Sequence, residues 1–525
     1  MFISKVEIKN FRTFDAEGII AFFKKGVNAI ISENNCGKTA IIDALRIAFS
    51  TVPYKKDIFF SISDFHVNYS GQRSSEANIS VFFDEVPADF FEIWNPEDTT
   101  KGEFHIRYYT VNTPEGKEKV RYTIWGGPIE GNTVSVDTFE AIQLVFLGAL
   151  RDAETEMRPA RSSKLASLLS AITNTDEAKE DITAVFRAAN GEILKKSPLI
   201  RVGEIVNDNL STIEQDVLKQ RIELGLVEPR FDSIAGSLRA WLKPRWFYLV
   251  KSSPHYQMLK DAYTTDEWSK YSTDDDTGTF LDIWMLKSLK KDMPTEAEAL
   301  MEELSENSFD LYQNGLGYNN ILFMSAVLGD METNSSSALF GLLLVEEPEA
   351  HLHPQLQELV HSFFDKNANK SSLQVIYTSH SPTLVSRIGI DKVVLLYENK
   401  HRINCLSFSE SNLDEFDRDS IERYLDVTKS QMLFARGIVF VEGISEALLL
   451  PIFAKYMDRP LDKYAVEIVN VDGVSFKPFA DLLCYANDVQ RQTIRAAIIT
   501  DDDRCTDKGD MDNYIGKDLD YDTDD

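Results

Sequence analysis

Gly341-Leu342-Leu343-Leu344-Val345-Glu346-Glu347-Pro348-Glu349-Ala350-His351-Leu352-His353-Pro354 is the stretch that decides the fold class. Its apolar run stops abruptly at two carboxylates. A short apolar run bounded by a turn signal reads as a strand buried on both faces of a parallel sheet. Such sheets take ligands just beyond the carboxyl ends of their strands. Two acids there are costly unless a cation meets them. One of them could hold a magnesium ion, directly or through its waters, and the other could orient an attacking water. The competing reading is a buried strand running into an acidic helix start, because Pro348 and Glu349 fit a first helical turn.

What lies upstream decides between them. Gly26-Val27-Asn28-Ala29-Ile30-Ile31 reads as a strand, and Ser32-Glu33-Asn34-Asn35-Cys36-Gly37-Lys38-Thr39 follows it. An apolar helical pattern then runs through Ile41, Ile42, Ala44, Leu45, Ile47 and Ala48. Strand, glycine-lysine-threonine loop and helix form the context that a P-loop requires. The N–H groups of Asn34, Asn35, Cys36 and Gly37 and the helix start would cradle phosphate. Lys38 would reach the outer phosphates, and the Thr39 hydroxyl would bind Mg²⁺. Ser32 stands where the motif has its first glycine, a small change at the loop's entry.

The remaining pattern frames this pair. Segments around 76–83, 104–111 and 119–125 alternate like an antiparallel meander, with another strand at 143–147. Residues 156–245 read as an inserted helical region, with dimerisation as one role and simple packing as the other. Residues 251–278 are polar and read as a mobile loop. Gly315 and Gly317 precede an apolar helix from Ile321 to Leu328, a second anion-binding turn. Leu373-Gln374-Val375-Ile376-Tyr377-Thr378-Ser379-His380 is another buried strand, and His380 at its tip is a candidate for the terminal phosphate or the attacking water.

Composition bounds the alternatives. At 525 residues there is room for about two to four domains. With 43% hydrophobic and 26% charged residues, the chain has the make-up of a globular protein. No apolar run approaches the roughly 18 residues that span a bilayer. The N-terminus alternates like a strand and lacks a signal-peptide pattern, and four scattered cysteines form neither a disulfide framework nor a zinc ribbon. A cytoplasmic location follows as the expectation. The net charge of −29 argues against general affinity for nucleic acid but leaves room for a metal-bridged contact.

Taken in order, the Asn-Phe-Arg strand (Asn10 to Arg12), P-loop, glycine turn, Glu-Glu-Pro strand end and Thr-Ser-His resemble the ABC-type ATPases of the RecF and SMC group. The resemblance implies an α/β fold in which two ATPase domains sandwich ATP. It makes Gly315 and Gly317 the signature turn, Glu346 the magnesium acid, Glu347 the catalytic base and His380 the switch histidine. Long heptad arms are absent.

The last quarter carries a second acidic pattern. Gly437-Ile438-Val439-Phe440-Val441-Glu442 is a strand ending in an acid, and Glu446 lies one helical turn on. Val466 to Asp472 and Ala496 to Asp503 repeat the arrangement, the latter ending Asp501-Asp502-Asp503. Acids gathered at one sheet edge repel one another unless divalent metal is present. Two Mg²⁺ or Mn²⁺ ions about 4 Å apart would suit phosphodiester hydrolysis. The arrangement resembles the Toprim fold, with Glu442, Glu446, Asp501 and Asp503 on its metal-binding positions and Asp472 a companion. Only Arg504 to Asp525 follow, so the Toprim domain reads as C-terminally incomplete.

An ATPase followed by Toprim resembles the OLD (overcoming lysogenization defect) endonucleases, which include Gabija and retron-associated nucleases. That resemblance implies DNA as substrate, ATP and Mg²⁺ as cofactors, a homodimer or higher homo-oligomer through the ATPase region, a helicase or retron partner, and a role in bacterial anti-phage defence. The expected domains are 1–155 and 246–420 for the ATPase, 156–245 for the insert and 421–525 for Toprim. An ATP-switched scaffold whose Toprim region binds without cutting is the alternative.

Overall fold

The computed structural model describes residues 1–50, 58–114, 116–149, 156–214, 222–241, 245–303, 310–334, 339–369, 372–399, 401–485 and 488–500. All structural statements concern those residues. Asp501 and Asp503, two of the expected metal-binding acids, lie outside them. The chain divides into two compact units, residues 1–150 with 335–525, and residues 151–334.

The first unit opens with strands β1 (Phe2–Lys9), β2 (Ile19–Phe22) and β3 (Val27–Ser32), followed by helix α1 (Lys38–Phe49). Next come β4 (Glu76–Asp84), β5 (Trp94–Asn95), β6 (Asp98–Asn112), β7 (Glu118–Gly126) and β8 (Ile142–Leu147). Strands β2-β1-β4-β6-β5 form one sheet, with β7 paired to β6. The strand at 142–147 is not part of this antiparallel sheet but pairs parallel with the strand at 340–346 in the other one.

In the second unit, helices α2 (Lys164–Ile172), α3 (Asp176–Leu194) and α4 (Ser197–Glu214) precede β9 (Trp246–Val250), β10 (Ser272–Asp274) and β11 (Gly278–Asp282), and α5 (Leu316–Asn334) closes it. The three strands form their own sheet in the order β10-β11-β9. Its core contains Phe247, Leu249, Tyr256, Leu259, Trp268 and Leu281. The second unit extends past residue 245 to Asn334, and residues 247–300 of it bury apolar side chains in a core of their own. The expected mobile loop at 251–278 is instead helix, helix and strand. Ser253 caps the helix at Pro254–Ala262, and a reciprocal Thr264–Glu267 capping box starts the next.

Back in the first unit are β12 (Phe340–Glu346), α6 (Pro354–Ala368), β13 (Leu373–Ser379), β14 (Val393–Asn399) and β15 (Arg402–Ser407). They complete a sheet of order β15-β14-β3-β13-β12-β8, parallel except for β15. Every residue of β3 and β13 is buried. Helix α1 is wedged between this sheet and the antiparallel one, so Ile41, Ile42, Leu45 and Phe49 share a core with Val81, Phe104, Leu342 and Leu344. Each such side chain contributes about 1.5–3 kcal/mol when buried. Gln374 of β13 ties the two sheets, receiving the Ile3 N–H at 2.8 Å and donating to the Ile3 carbonyl at 2.9 Å.

The unit ends in β16 (Gly437–Val441), α7 (Ile444–Tyr456), β17 (Val466–Asn470), β18 (Cys484–Tyr485), β19 (Asp488–Gln492) and β20 (Arg495–Ile499). Strands β17-β16-β20 are parallel and pair in register at their ends, Val441 opposite both Asn470 and Ile499.

Candidate functional site

The loop after β3 is bent by two residues in the left-handed region, Asn35 (φ 65°) and Gly37 (φ 94°). At Gly37 the bend requires glycine, since a Cβ would lie 2.7 Å from Thr13 Oγ1 and 2.9 Å from Phe14 Cζ. Gly37 caps α1 without a side-chain hydrogen bond, and no acid occupies the first turn. The first N–H groups of the helix and its positive end therefore face an anion site. Lys38 is buried and donates to Ser32 O (3.2 Å), Ser32 Oγ (3.0 Å) and Glu33 O (3.2 Å). Burial holds its pKa down to about 8 against the pull of Cys36, Glu347 and Glu349. The three oxygens are neutral, and a phosphate would hold the ammonium more strongly. Thr39 lies exposed in the first turn, as a metal-binding hydroxyl must. The donor set fits a nucleotide phosphate.

Two strands over, β12 ends at Glu346, opposite Thr378 in the β13 register. Glu347 turns sharply away at φ 44°, its N–H held by Thr378 O (3.0 Å) and Thr378 Oγ1 (3.3 Å). His380 Nε2 lies 3.9 Å from Glu347 Oε1. Burial and then the Lys38 charge lower the His380 pKa, while Glu347 raises it. Lys38, Glu347, Glu349 and His380 thus share one electrostatic neighbourhood, where the ends of β3, β13 and β12 lie side by side. Pro348 and Glu349 belong to a turn, not to a first helical turn. The helix starts at Pro354 with His353 as its cap, because positive φ at Glu347 and His351 (64°) breaks any earlier helix.

The residue reading passed over two side chains. Glu349 Oε1 accepts the His380 N–H at 2.7 Å and the Ser379 hydroxyl at 2.9 Å. Burial raises its pKa against those hydrogen bonds. Its place after Glu-Glu-Pro was the available signal. Arg12 (φ 49°), quoted only as part of a strand motif, bonds Asp43 of α1 (2.6 Å) and Asp64 (2.8 Å) beside the loop that abuts Gly37.

Gly315 and Gly317 lie in the other compact unit. Gly315 O accepts the N–H groups of Tyr318 and Asn319, but Gly317 is already inside α5. The helix starts five residues earlier than its apolar pattern because Asn319, buried, bonds the Leu311 carbonyl at 2.7 Å and needs no apolar partner.

At the second acidic edge, Glu442 follows β16 and accepts the Thr500 hydroxyl at 2.7 Å. Its carbonyl accepts the Gly473 N–H, so the ends of β16 and β17 are stitched together. Asp472 (φ 58°) exchanges hydrogen bonds with Asn470 and lies 3.5 Å from Lys429. Glu446 folds back onto the Gly443 N–H at the start of α7. Among the described residues, no three carboxylate, histidine or cysteine side chains converge as a metal-holding group. The two regions meet where Arg436, just before β16, bonds both oxygens of Glu33 in the phosphate loop at 3.0 Å.

A phosphate loop and an acidic strand tip on one sheet, continued in the same unit by a small parallel sheet whose strands end in acids, define a P-loop ATPase fused to a Toprim-like domain. The AAA ATPase domain family matches residues 1–197 and 140–385. The overcoming lysogenization defect protein-like TOPRIM domain matches residues 433–503. The chain belongs to the AAA ATPase domain family, in the OLD arrangement that adds a Toprim domain. It is 22% identical over 509 residues to the OLD nuclease of Thermus scotoductus, covering 93% of this chain and 80% of that protein. It is 29% identical over 241 residues to endonuclease GajA of Bacillus cereus, covering 40% of this chain but only 34% of that protein. The match thus spans about a third of GajA. Among solved structures, the Smc head domain derived from Pyrococcus furiosus aligns over 81% of this chain and 99% of that one, at 14% identity and a TM-score of 0.40. The two domains imply use of a nucleotide and a divalent metal. No helix among the described residues is long and apolar enough to cross a membrane.

Proposed function

We propose that this chain is an ATP-regulated, divalent-metal-dependent DNA endonuclease of bacterial anti-phage defence. The observation that carries the reading is the adjacency of Lys38, Glu347 and His380 on a sheet whose compact unit continues into the acidic edge of β16, β17 and β20. Bound ATP with Mg²⁺ supplies a phosphoanhydride and a Lewis acid. Lys38 would exchange the Ser32 and Glu33 oxygens for the outer phosphates, the start of α1 would donate its N–H groups, Thr39 and Glu346 would hold the metal, and Glu347 would take the proton of the attacking water while His380 orients it. Paired ATPase domains, with Gly315 and Gly317 facing a partner's phosphate loop, would make nucleotide state a gate on DNA access. Glu442, Glu446, Asp472, Asp501 and Asp503 are the proposed metal-binding acids for cutting, with Mg²⁺ or Mn²⁺. A cytoplasmic location and a helicase or retron-type partner belong to the same reading.

A second reading has an observation in its favour. The described acids at the second edge are engaged by Thr500, Lys429, Asn470 and Gly443, as in an ATP-switched scaffold that binds without cutting. Plasmid DNA with Mg²⁺ or Mn²⁺ separates the two. Nicking that vanishes in Asp501→Ala/Asp503→Ala supports the nuclease; equal nicking by that variant defeats it, and no nicking by the parent favours the scaffold.

A further inference from the structure

The turn after β12 does more than present Glu347. Hydrogen bonds from Ala350 N to Glu347 O (3.0 Å) and from Leu352 N to Glu349 O (2.9 Å) close it, bringing Glu349 back over the tip of β13. There a single carboxylate oxygen, Oε1, holds both the Ser379 hydroxyl and the His380 N–H. Ser379 Oγ in turn accepts the Ser381 N–H at 2.9 Å, and Ser381 Oγ donates to Gln357 of α6 at 2.6 Å while capping Leu384. Ser379 is fully buried, so this chain has no water to replace a missing member. The other carboxylate oxygen of Glu349, Oε2, is buried without a hydrogen-bond partner among the described residues. A buried carboxylate with one oxygen doubly used and the other idle is an expensive way to cap a strand.

The expense has a geometric return. Among the described residues the His380 ring makes no side-chain hydrogen bond, and its Nε2 lies 3.9 Å from Glu347 Oε1. The backbone grip of Glu349 is what sets the origin of that side chain. We infer that Glu349 is a positioning residue for ATP hydrolysis, which fixes His380 relative to Glu347 without touching substrate. The inference rests on the ATPase reading above and adds a residue to it. It also predicts that the two acids of the same turn, Glu347 and Glu349, differ in kind: one acts on water, the other on backbone.

The charge itself is not required by this role, since an amide oxygen can accept the same two hydrogen bonds. That makes the test specific. Glu349→Gln should keep kcat for ATP within about twofold of the parent. Glu349→Ala should lower kcat by about 10- to 100-fold, the scale of a misplacement near 1 Å, with KM and the affinity for a non-hydrolysable ATP analogue unchanged. His380→Ala should lower kcat comparably, and Glu349→Ala/His380→Ala should be no slower than His380→Ala alone. Multiplying losses in the double variant, or a Glu349→Gln as slow as Glu349→Ala, would overturn the inference. Amide hydrogen exchange supplies a readout free of turnover: protection at 379–381 should fall in Glu349→Ala and persist in Glu349→Gln, and unchanged protection in Glu349→Ala would overturn the inference too. A parent that binds ATP but never hydrolyses it would instead fail the ATPase reading, leaving the exchange result to decide the grip of Glu349 on His380.

Discussion

Gln374 and Ile3, at opposite ends of the ATPase sequence, exchange a complete pair of backbone-type hydrogen bonds, 2.8 Å and 2.9 Å long. The Gln374 amide stands in for a strand that β1 lacks at this point, where its ladder with β4 is irregular between Ile3 and Lys5. Gln374 is 1% exposed and Ile3 is 0% exposed. Replacing Gln374 by Leu would leave a buried N–H and a buried carbonyl unpaired. The expected loss is about 2–4 kcal/mol, read as a lower denaturant midpoint for the ATPase transition.

Gly37→Ala tests the phosphate loop more sharply than removal of the lysine. A left-handed φ and a Cβ 2.7 Å from Thr13 Oγ1 must both be accommodated. The helix behind it is held by the core, so the fold should survive with a loss of about 1–3 kcal/mol. Nucleotide affinity, measured by calorimetry, should fall at least tenfold, about 1.4 kcal/mol or more.

The Arg436–Glu33 pair gives a contrasting expectation. Its geometry is good, yet the arginine side chain is 70% exposed. Water and salt screen such a pair, so Arg436→Ala should shift thermal stability by less than about 1 kcal/mol. A larger change would mean that the pair does more than join two surfaces.

His361 of α6 supplies a pH dependence. Burial lowers its pKa below the ordinary 6.5, outweighing the pull of Asp365. The unfolded chain therefore takes up this proton first as pH falls. The stability contributed by the neutral ring is complete above about pH 6.5 and is lost as pH drops from there through the lower folded value. The unfolding midpoint should fall over that window, and His361→Gln should flatten the slope.

Much of the architecture could be read from local runs. The strand before Gly37-Lys38-Thr39, the helix after it, and the strands ending at Glu346, Ser379 and Glu442 all announce themselves within ten residues. Their periodicity is set by burial on both faces, which is a local property of the side chains. The order of those strands was not readable, because β13 inserts between β12 and β3, and β3 lies hundreds of residues away in the chain. The extent of the insert was also hidden. The polar stretch at 251–278 buries Tyr256, Leu259 and Trp268 singly rather than in runs, so composition pointed to a loop. Gly317 was placed outside its helix because Asn319 and Asn320 hid the helix's first turn. Glu349 was hidden for a different reason. Its role depends on positive φ at Glu347, which no residue pattern around Glu-Glu-Pro-Glu demands.

The β8 to β12 junction has a consequence for the insert. These two strands are hydrogen-bonded neighbours, and Leu339 N–H closes the junction on Ala141 O. All of residues 151–334 is threaded between them. Because the passage enters and leaves through two paired strands, a change in its length can be absorbed without shifting the register of its attachment strands.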